Sequence, residues 1–223
     1  MIEIIHITKK ASERTILNIP NLIFSEGRRY ALIGENGSGK TTLLRIMAGI
    51  LKPDTGRMKN IPMDSMGYMP QSSYAFSFSV QKNVEIALSN STDTADQALI
   101  ALKAVGLASL AAVRGNKLSG GETQRMAFAR MIAKPRRLIL LDEPTSSTDI
   151  KGMDQIESLL LRYASQTGCT VIFSTHSPAQ ALRLAEQVVF LDQGKIAEQG
   201  PATRVLKKPQ NESTRLFLQH WRI

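Results

Sequence analysis

The residues with the clearest chemical potential lie in a short glycine-rich segment between an apolar run and a helix-like pattern. Glycines let a backbone wrap closely around an anion, and successive N–H groups can then point at phosphate oxygens. A lysine and a threonine at the end of the segment add a positive charge and a hydroxyl that can hold a metal ion. The pattern predicts a site for a nucleoside triphosphate, formed by Gly34, Glu35, Asn36, Gly37, Ser38, Gly39, Lys40, Thr41 and Thr42.

Three residues of this segment have separate expected roles. Lys40 should reach the β- and γ-phosphates, the Thr41 hydroxyl should hold Mg²⁺, and Thr42 should contact the α-phosphate. The alternative is a tight strand-to-helix turn that carries a lysine by accident. The apolar run at 30–33 and the helix-like pattern at 41–48 provide the context that phosphate binding requires, so they argue against that alternative.

Two acidic residues end a second apolar run, at 138–141. Ligands of open α/β sheets bind at the carboxyl ends of the strands, so Asp142 and Glu143 are expected at a ligand-binding edge. Asp142 is suited to the Mg²⁺ shell, and Glu143 can face the other way and polarise the attacking water. A solvated strand end with two surface acids is the alternative, which the nearby glycine-rich segment makes less favoured.

The elements that must position these residues alternate along the chain. Short, continuous apolar runs are typical of strands in a parallel sheet covered on both faces, and they occur at 30–33, 138–141, 170–173 and 188–191. Helix-like stretches separate them, which predicts an α/β fold with a mainly parallel sheet. We predict a single domain over 1–223, with a helical subdomain at about 72–135 within it.

Composition narrows the classes of protein that fit. The 223 residues carry a formal net charge of +9, but the basic residues are scattered. Such a charge suits nucleic acid, anionic lipid or a phosphate-rich ligand, without choosing among them. The sequence contains no run of about 18 apolar residues and no signal-peptide pattern, so we expect the protein to stay where it is made. The single cysteine, Cys169, is expected to be buried and unpaired.

A third segment, at 118–125, narrows the class of nucleotide site. A serine and two glycines open a helix-like pattern there and can form a second anion-binding nest. A flexible loop that caps a helix is the alternative for these residues taken alone. The segment, LSGGETQR, is similar to the signature of ABC ATPases, and the chain resembles that family over about 2–200. The signature residues that carry the resemblance are Ser119, Gly120, Gly121 and Glu122.

The other marks of the family follow in the expected order. Gln71 stands where ABC ATPases carry a lid glutamine, Asp149 ends a segment that resembles their D-loop, and His176 stands where their switch histidine belongs. The resemblance implies catalytic roles for Glu143, His176 and Gln71. It also implies a metal site of Thr41, Gln71 and Asp142, and contacts across a dimer interface from Ser119, Gly120, Gly121, Glu122 and Asp149.

The resemblance also implies partners, a location and an N-terminal antiparallel β subdomain. ATP and Mg²⁺ would bind between the glycine-rich segment of one subunit and the signature of another, in a head-to-tail homodimer. Transmembrane permease subunits and a solute-binding protein would complete the complex. The chain would lie in the cytoplasm, peripheral on the inner face of the membrane. The implied function is ATP hydrolysis coupled to solute transport.

Import is favoured over export, because exporter ATPases of the family are often fused to membrane spans. The run at 175–181 faintly resembles the ATPases of oxyanion importers for tungstate, molybdate or phosphate. The rival class is a soluble ABC ATPase that acts on nucleic acid or the ribosome. Its members carry long coiled coils or two cassettes, and neither feature is seen in this sequence. A phosphate-loop kinase would not need the signature.

One departure from the family's pattern concerns the residue that contacts the nucleotide base. The family often places an aromatic residue on the first hairpin to stack on adenine, but that position falls near Ala11, so we expect loose base selectivity.

Tyr74, Phe76 and Phe78 alternate along a segment that in the family docks membrane subunits. If the segment is extended, they share one face. Packing inside the helical subdomain is the alternative for these side chains.

Overall fold

The computed structural model describes residues 1–88 and 93–221. Residues 89–92, within the predicted helical subdomain, and 222–223, at the end of the predicted domain, lie outside the described residues. The strands are β1 (Ile2–Ala11), β2 (Arg14–Phe24), β3 (Arg29–Ile33), β4 (Thr55–Lys59), β5 (Met66–Met69), β6 (Leu138–Asp142), β7 (Thr170–Thr175), β8 (Gln187–Asp192) and β9 (Lys195–Pro201). The helices are α1 (Lys40–Met47), α2 (Val80–Glu85), α3 (Thr94–Ala104), α4 (Gly120–Ile132), α5 (Ile150–Thr167), α6 (Pro178–Leu184), α7 (Ala202–Lys207) and α8 (Glu212–Gln219).

The chain divides into two compact units. The first consists of Met1–Met66, Arg137–Asp142 and Gly168–Ile223, and the second of Gly67–Arg136 and Glu143–Thr167. The second unit holds α2, α3, α4 and α5. The helical subdomain predicted at 72–135 therefore lies within the second unit, which also includes α5.

The main sheet of the first unit has β3 at its centre. The strands of this unit are hydrogen-bonded in the order β6, β7, β3, β8 and β9, and β9 runs antiparallel to β8 while the others are parallel. Every residue of β6 and β7 is buried, as expected for strands covered on both faces. The predicted α/β fold with a mainly parallel sheet is confirmed, and the four apolar runs lie in β3, β6, β7 and β8.

An antiparallel sheet of β2, β1 and β4, in that order, forms the other part of the first unit. In β1, Ile2 and Ile4 are buried while Glu3 and Ile5 are only partly buried, which is the alternation of a half-buried strand. His6 interrupts the alternation with a φ of 51°, and Ile7 is buried instead. This confirms the antiparallel β subdomain. Ala11 ends β1 at the turn into β2, so the position where the family often carries an aromatic residue lies in this hairpin.

The second unit is built from helices that pack on one another. α2, α3 and α4 are in mutual contact, and α4 also contacts α5. Their contacts bury apolar side chains such as Val80, Val84, Leu102 and Phe128. Within the described parts of 72–135 there are helices and short 3₁₀ turns, and no strand. Among all described residues, no helix has both the length and the apolar character needed to cross a membrane.

Candidate nucleotide-binding and catalytic site

The loop between β3 and α1 is shaped by glycines with positive φ. Gly34 has a φ of 150°, and a Cβ at this position would clash with the carbonyl oxygen of Leu191. Gly39 has a φ of 104° and is the N-cap of α1, so no side chain caps the first N–H groups of the helix. These N–H groups and the positive end of the helix dipole can therefore bind an anion.

Lys40 is the first residue of α1 and is only 6% exposed. Its Nζ donates hydrogen bonds to the carbonyl oxygens of Gly34, at 2.8 Å, and Glu35, at 2.9 Å. The ammonium group is thus held against the backbone of the loop that should wrap the phosphates. A buried positive charge at this position favours binding of an anion.

Asp142 ends β6 and is 1% exposed. Its Oδ1 accepts hydrogen bonds from Thr41 Oγ1, at 3.0 Å, and from Ser174 Oγ, at 2.6 Å. Its Oδ2 is buried and has no hydrogen-bond partner among the described residues. An unsatisfied buried carboxylate oxygen is costly. Asp142 and Thr41 together offer the oxygen ligands that Mg²⁺ prefers, so the residues present fit this ion.

Ser174 is a site residue that sequence reasoning missed. The parallel register of β6 and β7 places it opposite Asp142, where its hydroxyl fixes one carboxylate oxygen. The available signal was a serine directly after the apolar run at 170–173. Its importance depends on the pairing of β6 with β7, which the sequence does not state.

His176 directly follows β7 and is exposed. The next residue, Ser177, is the N-cap of α6, and its Oγ accepts a hydrogen bond from the backbone N–H of Gln180. His176 is therefore held between a strand end and a helix start. It lies at the carboxyl edge of the main sheet, as predicted, and its ring centroid is 5.9 Å from that of Trp221.

Glu143 and Gln71 come together in the second unit. Gln71 Nε2 donates a long hydrogen bond of 3.5 Å to Glu143 Oε2. Glu143 has a φ of 47°, a conformation that costs a residue other than glycine about 1–3 kcal/mol. Its carbonyl oxygen accepts hydrogen bonds from Gln124 Nε2, at 3.1 Å, and from the Ser146 N–H, at 3.2 Å. One side-chain and one backbone hydrogen bond thus hold a strained residue at the position predicted for the catalytic base.

The signature residues begin α4 with a capping box. Ser119 Oγ accepts from the Glu122 N–H at 3.3 Å, and the Ser119 N–H donates to Glu122 Oε2 at 2.8 Å. The backbone and side-chain hydrogen bonds from Ser119 lower the pKa of Glu122. Ser119 and Gly120 are exposed, so this helix start is accessible at the surface of the second unit.

The D-loop lies next to the signature within the same unit. A Cβ on Gly121 would come within 3.1 Å of the carbonyl oxygen of Ser147, so the two segments approach closely. Asp149 is exposed, and its Oδ1 accepts a hydrogen bond from the Gly152 N–H at 2.8 Å. A cavity of about 520 Å³ opens between the segments at 71–73, 118–124 and 146–147.

Gln124 links α4 to Glu143 and to the D-loop, a contact that could not be predicted from the sequence. The side chain is 1% exposed, and its Nε2 donates to the Glu143 carbonyl oxygen. Its Oε1 accepts from the Ser147 N–H at 2.9 Å. Both ends of one buried amide are therefore used, and a displacement of α4 would be transmitted to Glu143 and to the D-loop.

Replacing Gln124 by alanine should lower both the stability of the chain and its kcat. A buried donor or acceptor left unsatisfied costs about 1–3 kcal/mol, so the free energy of unfolding should fall by that amount. The rate of the ATP hydrolysis predicted from the sequence should also fall, because the carbonyl oxygen of Glu143 loses its hydrogen bond from Gln124. The matched control is Gln155→Ala, which removes a hydrogen bond to the Ala104 carbonyl and should lower stability without lowering kcat. Equal kcat values for the two variants would contradict this role.

The glycine-rich loop, the strand-end carboxylate and the parallel sheet define the class: a phosphate-loop nucleotide-binding α/β protein. A family model described as ABC transporter matches residues 17–146. This chain belongs to the ABC transporter family. It is an ATP-binding domain of that family, and its activity is ATP hydrolysis coupled to transport.

The similar proteins include both curated relatives and solved structures. The tungstate uptake system ATP-binding protein TupC of Peptoclostridium acidaminophilum is 35% identical over 207 residues, which cover 88% of this chain and 97% of TupC. The phosphate import ATP-binding protein PstB 2 of Natronomonas pharaonis is 33% identical over 230 residues, covering 91% of this chain and 81% of the relative. The ATP-binding cassette MJ0796, solved as a dimer in a post-hydrolysis state with ADP and Pi, superimposes with a TM-score of 0.82 at 28% identity, covering 91% of this chain and 99% of the cassette.

Proposed function

We propose that this chain is the ATP-hydrolysing subunit of an importer, and that it works as a head-to-tail homodimer with ATP between two copies. The observation that carries the proposal is the exposed start of α4. Ser119 and Gly120 lie on the surface, and a Cβ on Gly120 would meet no atom within 4 Å. A helix start that is open in one copy can serve the phosphates bound by another.

The glycine-rich loop would bind the triphosphate through backbone N–H groups, with Lys40 at the β- and γ-phosphates and Thr42 at the α-phosphate. Thr41, Asp142 and Gln71 would hold Mg²⁺, which would neutralise charge on the triphosphate when bound. The backbone N–H groups of the loop that would bind the triphosphate are those of Gly34, Glu35, Asn36, Gly37, Ser38 and Gly39.

The catalytic roles follow from the chemistry of each side chain. Glu143 accepts the proton of the attacking water, or orients that water, and Gln71 fixes the Glu143 carboxylate. His176 contacts the γ-phosphate and helps to align the attack. Ser119, Gly120, Gly121, Glu122 and Asp149 act across the dimer interface. The chain 1–223 then forms one ABC ATPase domain.

The docking surface for a permease subunit would be the aromatic segment at 74–78. Tyr74, Phe76 and Phe78 are 66%, 42% and 55% exposed. Their rings lie beside one another in series: Tyr74 meets Phe76 edge to face with centroids 5.2 Å apart, and Phe76 and Phe78 are tilted by 33° with centroids 6.1 Å apart. An exposed apolar cluster of this kind is typical of an interaction site, which favours docking over internal packing for these side chains.

Polar side chains of α2 and α4 hold the backbone behind this aromatic cluster. Asn83 is fully buried, accepts a hydrogen bond from the Phe76 N–H at 2.8 Å and donates to the Phe76 carbonyl at 2.9 Å. Arg130 donates to the carbonyl oxygens of Tyr74 and Asn83. The segment is thus tied to α2 and α4, so a force on the aromatic rings would be passed to the signature helix.

The relatives TupC and PstB 2, which are named for tungstate uptake and phosphate import, support import of an oxyanion. A solute-binding protein would be a further partner of the complex. The chain would then lie in the cytoplasm, peripheral on the inner face of the membrane. Affinity purification of the chain from its own cell membranes, followed by identification of the bound subunits, tests this assignment. Recovery of a permease of another substrate class, or of an exporter, would contradict it.

Mixing two inactive variants tests the proposed shared site. Lys40→Ala should abolish ATP binding to the loop, and Ser119→Asp should repel the triphosphate while keeping a residue that caps α4 well. In a mixed head-to-tail dimer one site combines the intact loop and the intact signature. Random mixing should therefore restore about a quarter of wild-type hydrolysis. Ser119→Asn caps equally without the charge and is the control for Ser119→Asp, so it should retain more activity. A site built within one chain would give no restoration.

A further inference from the structure

We propose that Trp221 is a positioning residue for His176. The indole and imidazole centroids are 5.9 Å apart and the rings are inclined by 36°. This separation lies in the range in which aromatic pairs attract each other. The inference rests on the proposed role of His176 at the γ-phosphate. An imidazole ring that is already held in one orientation loses less conformational freedom when it binds the phosphate.

A series of aromatic rings connects Trp221 to the core of the first unit. Phe190, in β8, is 2% exposed, and its ring centroid is 5.2 Å from that of Phe217 in α8. Phe217 is in turn 6.4 Å from Trp221. Trp221 therefore lies beside a buried ring, that of Phe217, while 39% of its own surface remains exposed.

The start of α8 is fixed by a buried carboxylate. Glu198 accepts hydrogen bonds from the N–H groups of Gln210 and Asn211, and an ion pair joins it to Arg204 at 2.8 Å. Burial by itself would raise the pKa of Glu198, but these donors outweigh it and lower that pKa. The Asn211 side chain then caps the helix. With both ends attached, α8 can hold the indole at a defined place beside His176.

Fluorescence tests the contact, because Trp221 is the single tryptophan of the chain. In the nucleotide-free full chain, His176→Asn should uncover one face of the indole and increase the quenching of its emission by acrylamide. His6→Asn makes the same chemical change far along the chain, on an exposed strand residue, and should leave quenching unchanged. Equal quenching in wild type and His176→Asn would overturn the contact, whether or not the chain hydrolyses ATP.

Steady-state hydrolysis tests the positioning role. Trp221→Ala should lower kcat by about two- to tenfold, the range of one aromatic pair, with KM for ATP within about twofold of wild type. Trp221→Phe, which keeps a ring, should recover most of kcat. Leu216→Ala removes an exposed apolar side chain from α8, the helix that precedes Trp221, and should have no effect. An unchanged kcat in Trp221→Ala, or an equal loss in Trp221→Phe, would overturn the role. A wild-type chain without ATPase activity would instead refute the proposed function.

Discussion

Glu143→Gln should lower the turnover of ATP by about 100- to 10,000-fold, the range typical of losing a general base. The amide has nearly the shape of the carboxylate and can still accept the hydrogen bond from Gln71, but it cannot take a proton from water. ATP should still bind and should hold two copies together, because the step that opens the dimer no longer occurs. Single-turnover hydrolysis and size-exclusion chromatography with Mg²⁺ and ATP measure the two effects.

Two controls separate chemistry from folding in this variant. The strained backbone of residue 143 is held through its carbonyl by Gln124 and Ser146, and this support does not depend on the side chain. The melting temperature should therefore stay close to that of wild type. Glu143→Asp keeps a carboxylate on a shorter side chain and should have intermediate turnover. If Glu143→Gln hydrolyses ATP at the wild-type rate, or stays monomeric with ATP bound, the assigned role is wrong.

The parts of the molecule that could be predicted from sequence are those with local causes. The turn at Gly34 and Gly39 needs backbone conformations that glycine adopts easily, so its position could be predicted from spacing alone. The strands β3 and β6 are continuous apolar runs, because burial on both faces requires it. The site residues at the ends of these strands then follow from the rule that ligands bind at the carboxyl edge.

Features that depend on distant parts of the chain could not be predicted in this way. The contact of Ser174 with Asp142 exists because β6 pairs with β7 in one particular register. The bridge from Gln124 to Glu143 and Ser147 spans about 20 residues of sequence. The left-handed backbone of Glu143 is unfavourable locally and persists because such tertiary hydrogen bonds outweigh it. In none of these cases does a local sequence pattern predict the hydrogen-bond partner.

Asp142→Asn should have opposite effects on activity and on stability. Hydrolysis that requires Mg²⁺ should fall by at least about a hundredfold, because the carboxylate charge that would hold the cation is lost. In the nucleotide-free chain, however, the variant should melt about 2–4 °C higher than wild type. The reason is that Oδ2 of Asp142 is buried with no hydrogen-bond partner among the described residues, so the charge is costly without a cation. The Oδ1 of asparagine can still accept from Thr41 and Ser174.

Thermal unfolding with and without Mg²⁺ and ATP compares the two effects in one experiment. Wild type should be stabilised more by Mg²⁺ with ATP than by ATP alone, and Asp142→Asn should lose that difference, because a ligand stabilises the state that it binds. Asp154→Asn makes the same change on the exposed surface of α5 and should behave like wild type. A lower melting temperature for nucleotide-free Asp142→Asn would show that the carboxylate charge is satisfied within the protein. The chain would then be built around a paired Asp142, and the buried oxygen would not serve a cation.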